Sequence, residues 1–149
     1  MKVIYINTDG GSRGNPGPAA TGVVFSDELG GVLYTHKEYI GKATNNEAEY
    51  QALSQACKIL LKSKWLKANK DSGEVICRLD SKLLVEQLNG NYKIKQEHLR
   101  LILMEIRRLI DECGIRVTFI HVPREENKLA DKLVNEALDE AKAALNGER

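Results

Sequence analysis

The chain runs through two hydrophobic periods in turn, and the changes between them lay out its elements. Residues 3–9 mix β-branched and aromatic side chains and predict a first strand. Residues 20–25 and 32–40 predict two more, joined by the turn Asp27-Glu28-Leu29-Gly30-Gly31, so the opening reads as an antiparallel meander. Residues 10–18, between the first two strands, are dense in Gly, Asn and Pro and predict a turn-rich connection. From 48 to 61 the period becomes helical, and Thr44-x-x-Glu47 just before it is a capping-box pattern. A polar connection at 62–73 leads to a strand at 74–80 and a short helix at 81–88, stopped by Asn89-Gly90. A longer helix at 97–112 has Gly114 placed to cap its end. Residues 116–122 predict a fifth strand, broken by Pro123, and 127–145 a final helix. The order β-β-β-α-β-α-α-β-α predicts an α/β fold: a five-stranded mixed sheet, three strands antiparallel and then two parallel, flanked by helices. No repeat or linker divides it, so 1–149 is expected to form a single domain, with 146–149 fraying.

Composition narrows the function mainly by exclusion. The chain is 42% hydrophobic and 29% charged, as in ordinary globular proteins, and holds no apolar run near the roughly 18–20 residues of a membrane span. Met1-Lys2 leads straight into the first strand with no signal-peptide pattern, so a cytosolic, membrane-free protein is expected. Cys57, Cys77 and Cys113 are odd in number, far apart and set among apolar neighbours. His36, His98 and His121 are equally scattered. Reduced core thiols are expected, with neither a disulfide framework nor a zinc site. A formal net charge of +1 does not suggest a nucleic-acid partner, and such a partner would have to be held by a local patch or by metal ions. No heptad or exposed apolar stripe calls for self-association, so a monomer is the expectation.

Of the 21 acidic residues, four stand where charge is disfavoured. Asp9 closes the first apolar strand and Asp80 the fourth. If those strands are parallel neighbours, the two emerge side by side at the carboxyl edge, where open α/β sheets bind ligands. Glu49 leads the apolar stripe Ala52, Leu53, Ala56, Leu60, so it points toward the sheet, while Glu47 is accounted for by the capping box. Asp131 lies one turn into the last helix, in line with Val134 and Leu138. Each also has a plain role open to it: Asp9 and Asp80 in turns, Asp131 at a helix N-terminus. Converging without cationic partners, the four would raise one another's pKa, and a divalent cation bound through oxygen, magnesium or manganese, is the natural remedy.

These residues also carry a family resemblance. Thr8-Asp9-Gly10-Gly11-Ser12-x-Gly14-Asn15-Pro16-Gly17-Pro18 resembles the first motif of the type 1 ribonucleases H. Thr44-Asn45-Asn46-x-x-Glu49 resembles the second, Asp80-Ser81 the third and Glu126-Asn127-x-x-x-Asp131 the fourth, in family order across nearly the whole chain. The resemblance implies the ribonuclease H-like fold and an endonuclease that cuts the RNA strand of an RNA–DNA hybrid, leaving 5′-phosphate and 3′-hydroxyl ends. It implies that Asp9, Glu49, Asp80 and Asp131 hold two magnesium ions, which manganese can replace, with Asp9 shared between them. It implies too that Gly10, Gly11 and Ser12, with Asn15, Asn45 and Asn46, line the minor groove of the hybrid, where 2′-hydroxyls distinguish RNA from DNA.

The match departs from the family in two places. Many members carry a long basic, tryptophan-containing insertion between the second and third helices, whereas here only residues 89–97 intervene, with Lys93 and Lys95 but no tryptophan. Trp65, among Lys62, Lys64, Lys67 and Lys70, reads rather as the anchor of a solvated loop than as a stacking platform. Members also often place a histidine on a flexible loop before the last helix, a loop that is shortened here. Arg124 is favoured as the auxiliary catalytic group over His121, though not as a base, since arginine stays protonated. Two rival readings are a nuclease of the same fold acting on double-stranded RNA or a DNA junction, and a binding module without catalysis. The intact set of four carboxylates counts against the second.

Overall fold

The computed structural model describes residues 2–147. Its strands are β1 (Val3–Ser12), β2 (Gly17–Ser26), β3 (Val32–Ala43), β4 (Glu74–Leu79) and β5 (Arg116–His121). Its helices are α1 (Asn45–Lys62), α2 (Lys64–Asn69), α3 (Lys82–Leu88), α4 (Glu97–Cys113) and α5 (Lys128–Leu145), with one 3₁₀ turn at Arg124–Glu126. The sheet order is β3-β2-β1-β4-β5. β1, β2 and β3 pair antiparallel, while β4 pairs parallel with both β1 and β5, as the element order predicted.

One face of the sheet carries the main core. Ile4, Ile6, Val75, Cys77 and Leu79 point from β1 and β4 into a cluster with Leu53 and Leu60 of α1 and Leu103 and Ile106 of α4. The opposite face is covered by α5, where Val134, Ala137 and Leu138 pack on Ala20 and Leu133 on Val24. Because successive strand residues alternate between faces, Asn7 and Asp9 share the α5 side of β1 while Thr8 and Gly10 face α1. The three cysteines are buried and free, as expected, and burial pushes the Cys57 thiol up to about 12.

Three differences from the sequence expectation have physical causes. The connection predicted at 10–18 is largely strand: Gly10, Gly11 and Ser12 continue β1 against Thr21, Ala20 and Ala19 of β2, so Asp9 lies within the strand rather than at its end. The polar connection at 62–73 contains α2, capped by Ser63 Oγ on the Leu66 N–H (3.1 Å) and anchored by buried Leu66. Trp65 sits in that helix against the main core, not in a solvated loop. Buried Leu66 and half-buried Trp65 hold a segment whose composition alone reads as loop. Helix α1 begins three residues earlier than its apolar period because Thr44 and Glu47 form the predicted capping box: Thr44 Oγ1 accepts from the Glu47 N–H (3.1 Å) and the Glu47 carboxylate from the Thr44 N–H (2.9 Å). The fraying expected over 146–149 falls partly outside the described residues. Asn146 and Gly147 still donate backbone hydrogen bonds into the end of α5.

The box sets the first turn of α1, on which Glu49 stands. Thr44→Ala is expected to lower folding stability by about 1 kcal/mol. Urea unfolding would show this as a lower midpoint at unchanged slope, and an unchanged midpoint would mean that the cap contributes nothing.

Candidate active site

Parallel pairing of β1 with β4 ends at Asn7 and Arg78, and Asp9 and Asp80 each lie two residues beyond it. The condition set from sequence is met, and Asp80, just past the end of β4, comes close enough for its charge to act on Asp9 within β1. Glu49 joins them because α1 approaches β1 at a residue without a side chain: a Cβ on Gly10 would overlap the backbone of Ala48 and Glu49. Asp131, exposed in the first turn of α5, completes the group, its N–H bonded to the Asn127 carbonyl (3.1 Å). All four line one cavity of about 300 Å³.

The residues proposed from the resemblance divide. Gly10, Gly11, Ser12, Asn45 and Arg124 line the same cavity, whereas Asn15, Asn46 and His121 do not. Asn15 lies one bond behind: its Oδ1 accepts from the Asn45 N–H (3.1 Å), and Asn45 Oδ1 in turn accepts from the Ser12 N–H (2.8 Å). This pair of bonds ties the glycine segment to the start of α1. Asn46 is exposed beside it, and exposed His121 ends β5 opposite Leu79.

Sequence reasoning missed three residues here. Arg13 and Asn135 also line the cavity, and Arg13 bonds to Asn135 (3.3 Å) and pairs with Asp139 (2.7 Å). Asn135 could have been found, since it stands one turn after Asp131 on the same helical face. Asn127 was quoted only as part of a motif. It is 1% exposed, and its Nδ2 donates to the Thr8 carbonyl (2.9 Å) and to Asp80 Oδ2 (3.2 Å).

The electrostatics are those of acids gathered without enough positive charge. Burial, then the charges of Asp80, Asp131 and Glu49, push the Asp9 carboxyl up to about 8, against a single opposing bond from the Gly10 N–H. Burial likewise pushes Glu49 up to about 7, helped by Asp80 and opposed by the Ser81 hydroxyl and the Arg124 charge. Asp9 is the hub, sensing all three others. Among the described residues no three acidic, histidine or cysteine side chains close around a single point. The four carboxylates are instead spread along the lining of a cavity of about 300 Å³, which leaves room for a cation that keeps part of its water shell. Hard oxygen donors fit a divalent metal ion, which would restore the ionised forms of Asp9 and Glu49.

The sheet order and its flanking helices are those of the ribonuclease H-like fold. The model of the family described as "Reverse transcriptase-like" matches residues 7–137. A "Ribonuclease HI" of Halobacterium salinarum is 42% identical over 93% of this chain and 65% of its own length. The "Bifunctional protein Rv2228c" of Mycobacterium tuberculosis is 40% identical over 95% of this chain. This chain spans only 36% of that mycobacterial protein. Among solved structures, LC11-RNase H1, isolated from compost, superposes with a TM-score of 0.87 at 45% identity, covering 95% of this chain and 99% of that one. The chain belongs to the reverse transcriptase-like family and, within it, to the type 1 ribonucleases H.

Proposed function

We propose that this protein hydrolyses the RNA strand of RNA–DNA hybrids with divalent metal ions, leaving 5′-phosphate and 3′-hydroxyl ends. The observation that carries the reading is the convergence of Asp9, Glu49, Asp80 and Asp131 on one cavity whose rim is built of glycines and Asn45. It is supported by LC11-RNase H1, which has been solved in complex with an RNA/DNA hybrid and is 44% identical to this chain there, at a TM-score of 0.84 over 93% of this chain and 98% of its own.

The four carboxylates would hold two magnesium ions, or manganese, with Asp9 shared between them. When bound, the ions supply an activated water and stabilise the departing oxygen. The chain's own groups do the rest. Asn127 holds one oxygen of Asp80, leaving the other to face the cavity. Ser12 occupies the Asn45 oxygen, so the Asn45 amide nitrogen is left to donate to a sugar hydroxyl or base edge. Gly10 and Gly11 let the backbone approach the minor groove, exposed Asn46 extends that surface beside Asn45, and Asn15 supports it from behind through the Asn45 N–H. Arg124, beside Glu49, offers a positive charge to the phosphate as negative charge builds on it. Buried free thiols fit a reducing compartment, and the reading takes residues 1–149 as one ribonuclease H domain acting as a monomer in the cytosol. Among the described residues no helix is long and apolar enough to cross a membrane.

The test uses matched RNA–DNA, RNA–RNA and DNA–DNA duplexes, end-labelled on each strand, with magnesium or with EDTA. Cutting of the RNA strand of the hybrid alone, only with metal, is the expected result. Cutting of RNA–RNA at a similar rate would shift the substrate assignment, and no cutting by folded protein in magnesium or manganese would end it. In the same assay Arg124→Ala is expected to lower the rate about tenfold, in the range of one charge-assisted contact of ~1.4 kcal/mol, with His121→Ala near wild type. The reverse order would make His121 the auxiliary group.

A further inference from the structure

Asp80 is held from behind by Asn127, and Asn127 in turn by two residues that belong to none of the four motifs. We infer that Arg78 and Asn7 are positioning residues that set the polarity of a hydrogen-bond chain ending on Asp80, and so hold its carboxylate ready for metal. The inference rests on the ribonuclease reading, in which Asp80 is a metal ligand.

The chain of bonds begins where parallel pairing ends. Arg78 and Asn7 are register partners on β4 and β1, on the face covered by α5. The Arg78 guanidinium lies 4.2 Å from the centre of the Tyr5 ring, which fixes it over β1. Its Nε donates to Asn7 Oδ1 (3.1 Å). A guanidinium has donors only, so Asn7 must turn its oxygen toward Arg78 and its amino group away. That amino group donates to Asn127 Oδ1 (3.0 Å) and reaches the Glu126 carbonyl (3.4 Å). With its oxygen taken, Asn127 can offer only its amino group forward, and it does so to the Thr8 carbonyl and to Asp80 Oδ2.

Each donor in this series meets an acceptor, and the direction is dictated at the Arg78 end. Asn127 is fully buried, so water cannot correct a wrong orientation, and an inverted amide would set its oxygen against two other acceptors. The same residue accepts the Asp131 N–H on its main-chain carbonyl, so the chain also fixes where α5 presents its own carboxylate. Partners behind a ligand that fix its orientation typically matter about 10- to 100-fold in metal affinity or activity.

The polarity can be reversed without changing shape. Asn7→Asp keeps an acceptor for Arg78 but removes the donor to Asn127, which must then either face an acceptor or turn its oxygen on Asp80. The measurement is magnesium binding by calorimetry on the whole chain without substrate, beside a thermal melt and the hybrid assay. Expected are an affinity about tenfold weaker and a reduced rate. The melting temperature should change little, since Arg78 gains a carboxylate partner while buried Asn127 loses a matched bond. Arg78→Gln is the second variant: its amide can present either end, so it releases the polarity without adding charge, and a smaller loss of affinity is expected.

If both variants bind magnesium as wild type does, the inference is overturned. If they lose stability while the folded protein keeps its magnesium affinity, the residues are structural and it is overturned likewise. Should folded wild type neither bind magnesium nor cut the hybrid, the ribonuclease reading fails first and takes this one with it. Wild-type binding and cutting with an unaffected Asn7→Asp removes the positioning role alone.

Discussion

Asp9→Asn is expected to cost hybrid cleavage about a thousandfold or more, equivalent to ~4 kcal/mol, while making the metal-free protein more stable above neutral pH. Both effects come from one cause. Asp9 is half-buried beside three other acids, and its carboxyl is raised from 3.8 to about 8. A carboxyl raised by folding supports the fold fully below its unfolded pKa, and that support is lost as pH rises through the folded value. Metal-free wild type should therefore lose stability progressively from about pH 4 to about pH 8, and asparagine, which resembles the protonated acid, should remove much of that slope. Magnesium reverses the comparison, because wild type gains binding energy that the variant has largely given up. Melting curves at pH 5 and pH 8, each in EDTA and in magnesium, check this together with the cleavage assay. Cleavage at the wild-type rate would remove Asp9 from the reaction. A variant no more stable than wild type in EDTA at pH 8 would mean that the acids do not strain the fold.

Gly10→Ala is the second large effect expected, and it is steric. The added methyl would overlap the backbone of Ala48 and Glu49, which cannot swing aside as a side chain can, so α1 would have to move off β1. A loss of about 2–4 kcal/mol is expected, near the upper end for overpacking, with Glu49 displaced from Asp9 and cleavage reduced beyond the loss of stability. Gly11→Ala is the internal control, because there the methyl meets only the Val134 side chain at 3.5 Å, an ordinary contact. Thermal melts of the two variants decide the matter: equal stabilities would refute the close approach of α1 to β1. Gly10 was singled out by resemblance as a residue lining the substrate groove. The structure adds a reason within the fold for it to be glycine.

The elements and the four carboxylates were legible in the chain itself. Strand and helix periods, the Thr44–Glu47 box and Gly114, which adopts the left-handed cap conformation, are local signals acting over a few residues. An acid at the end of an apolar strand, or in line with an apolar helical stripe, stands out without coordinates, which is how Asp9, Asp80, Glu49 and Asp131 were found. Local signals failed where contacts overrode them. Helix α2 forms over a polar stretch because Leu66 and Trp65 find the core, and residues 10–12 are strand because β2 pairs with them.

What the sequence determined by itself, then, is which segments form strands and helices, and which carboxylates are out of place. Only the tertiary structure decided that β1 and β4 lie side by side, that α1 touches β1 at Gly10, and that Arg78, Asn7 and Asn127 connect to Asp80. Asn7 lies 71 residues from Arg78 and 120 from Asn127. Periodicity and capping act within a turn or two, whereas hydrogen bonds across such separations exist only once the sheet has brought the segments together.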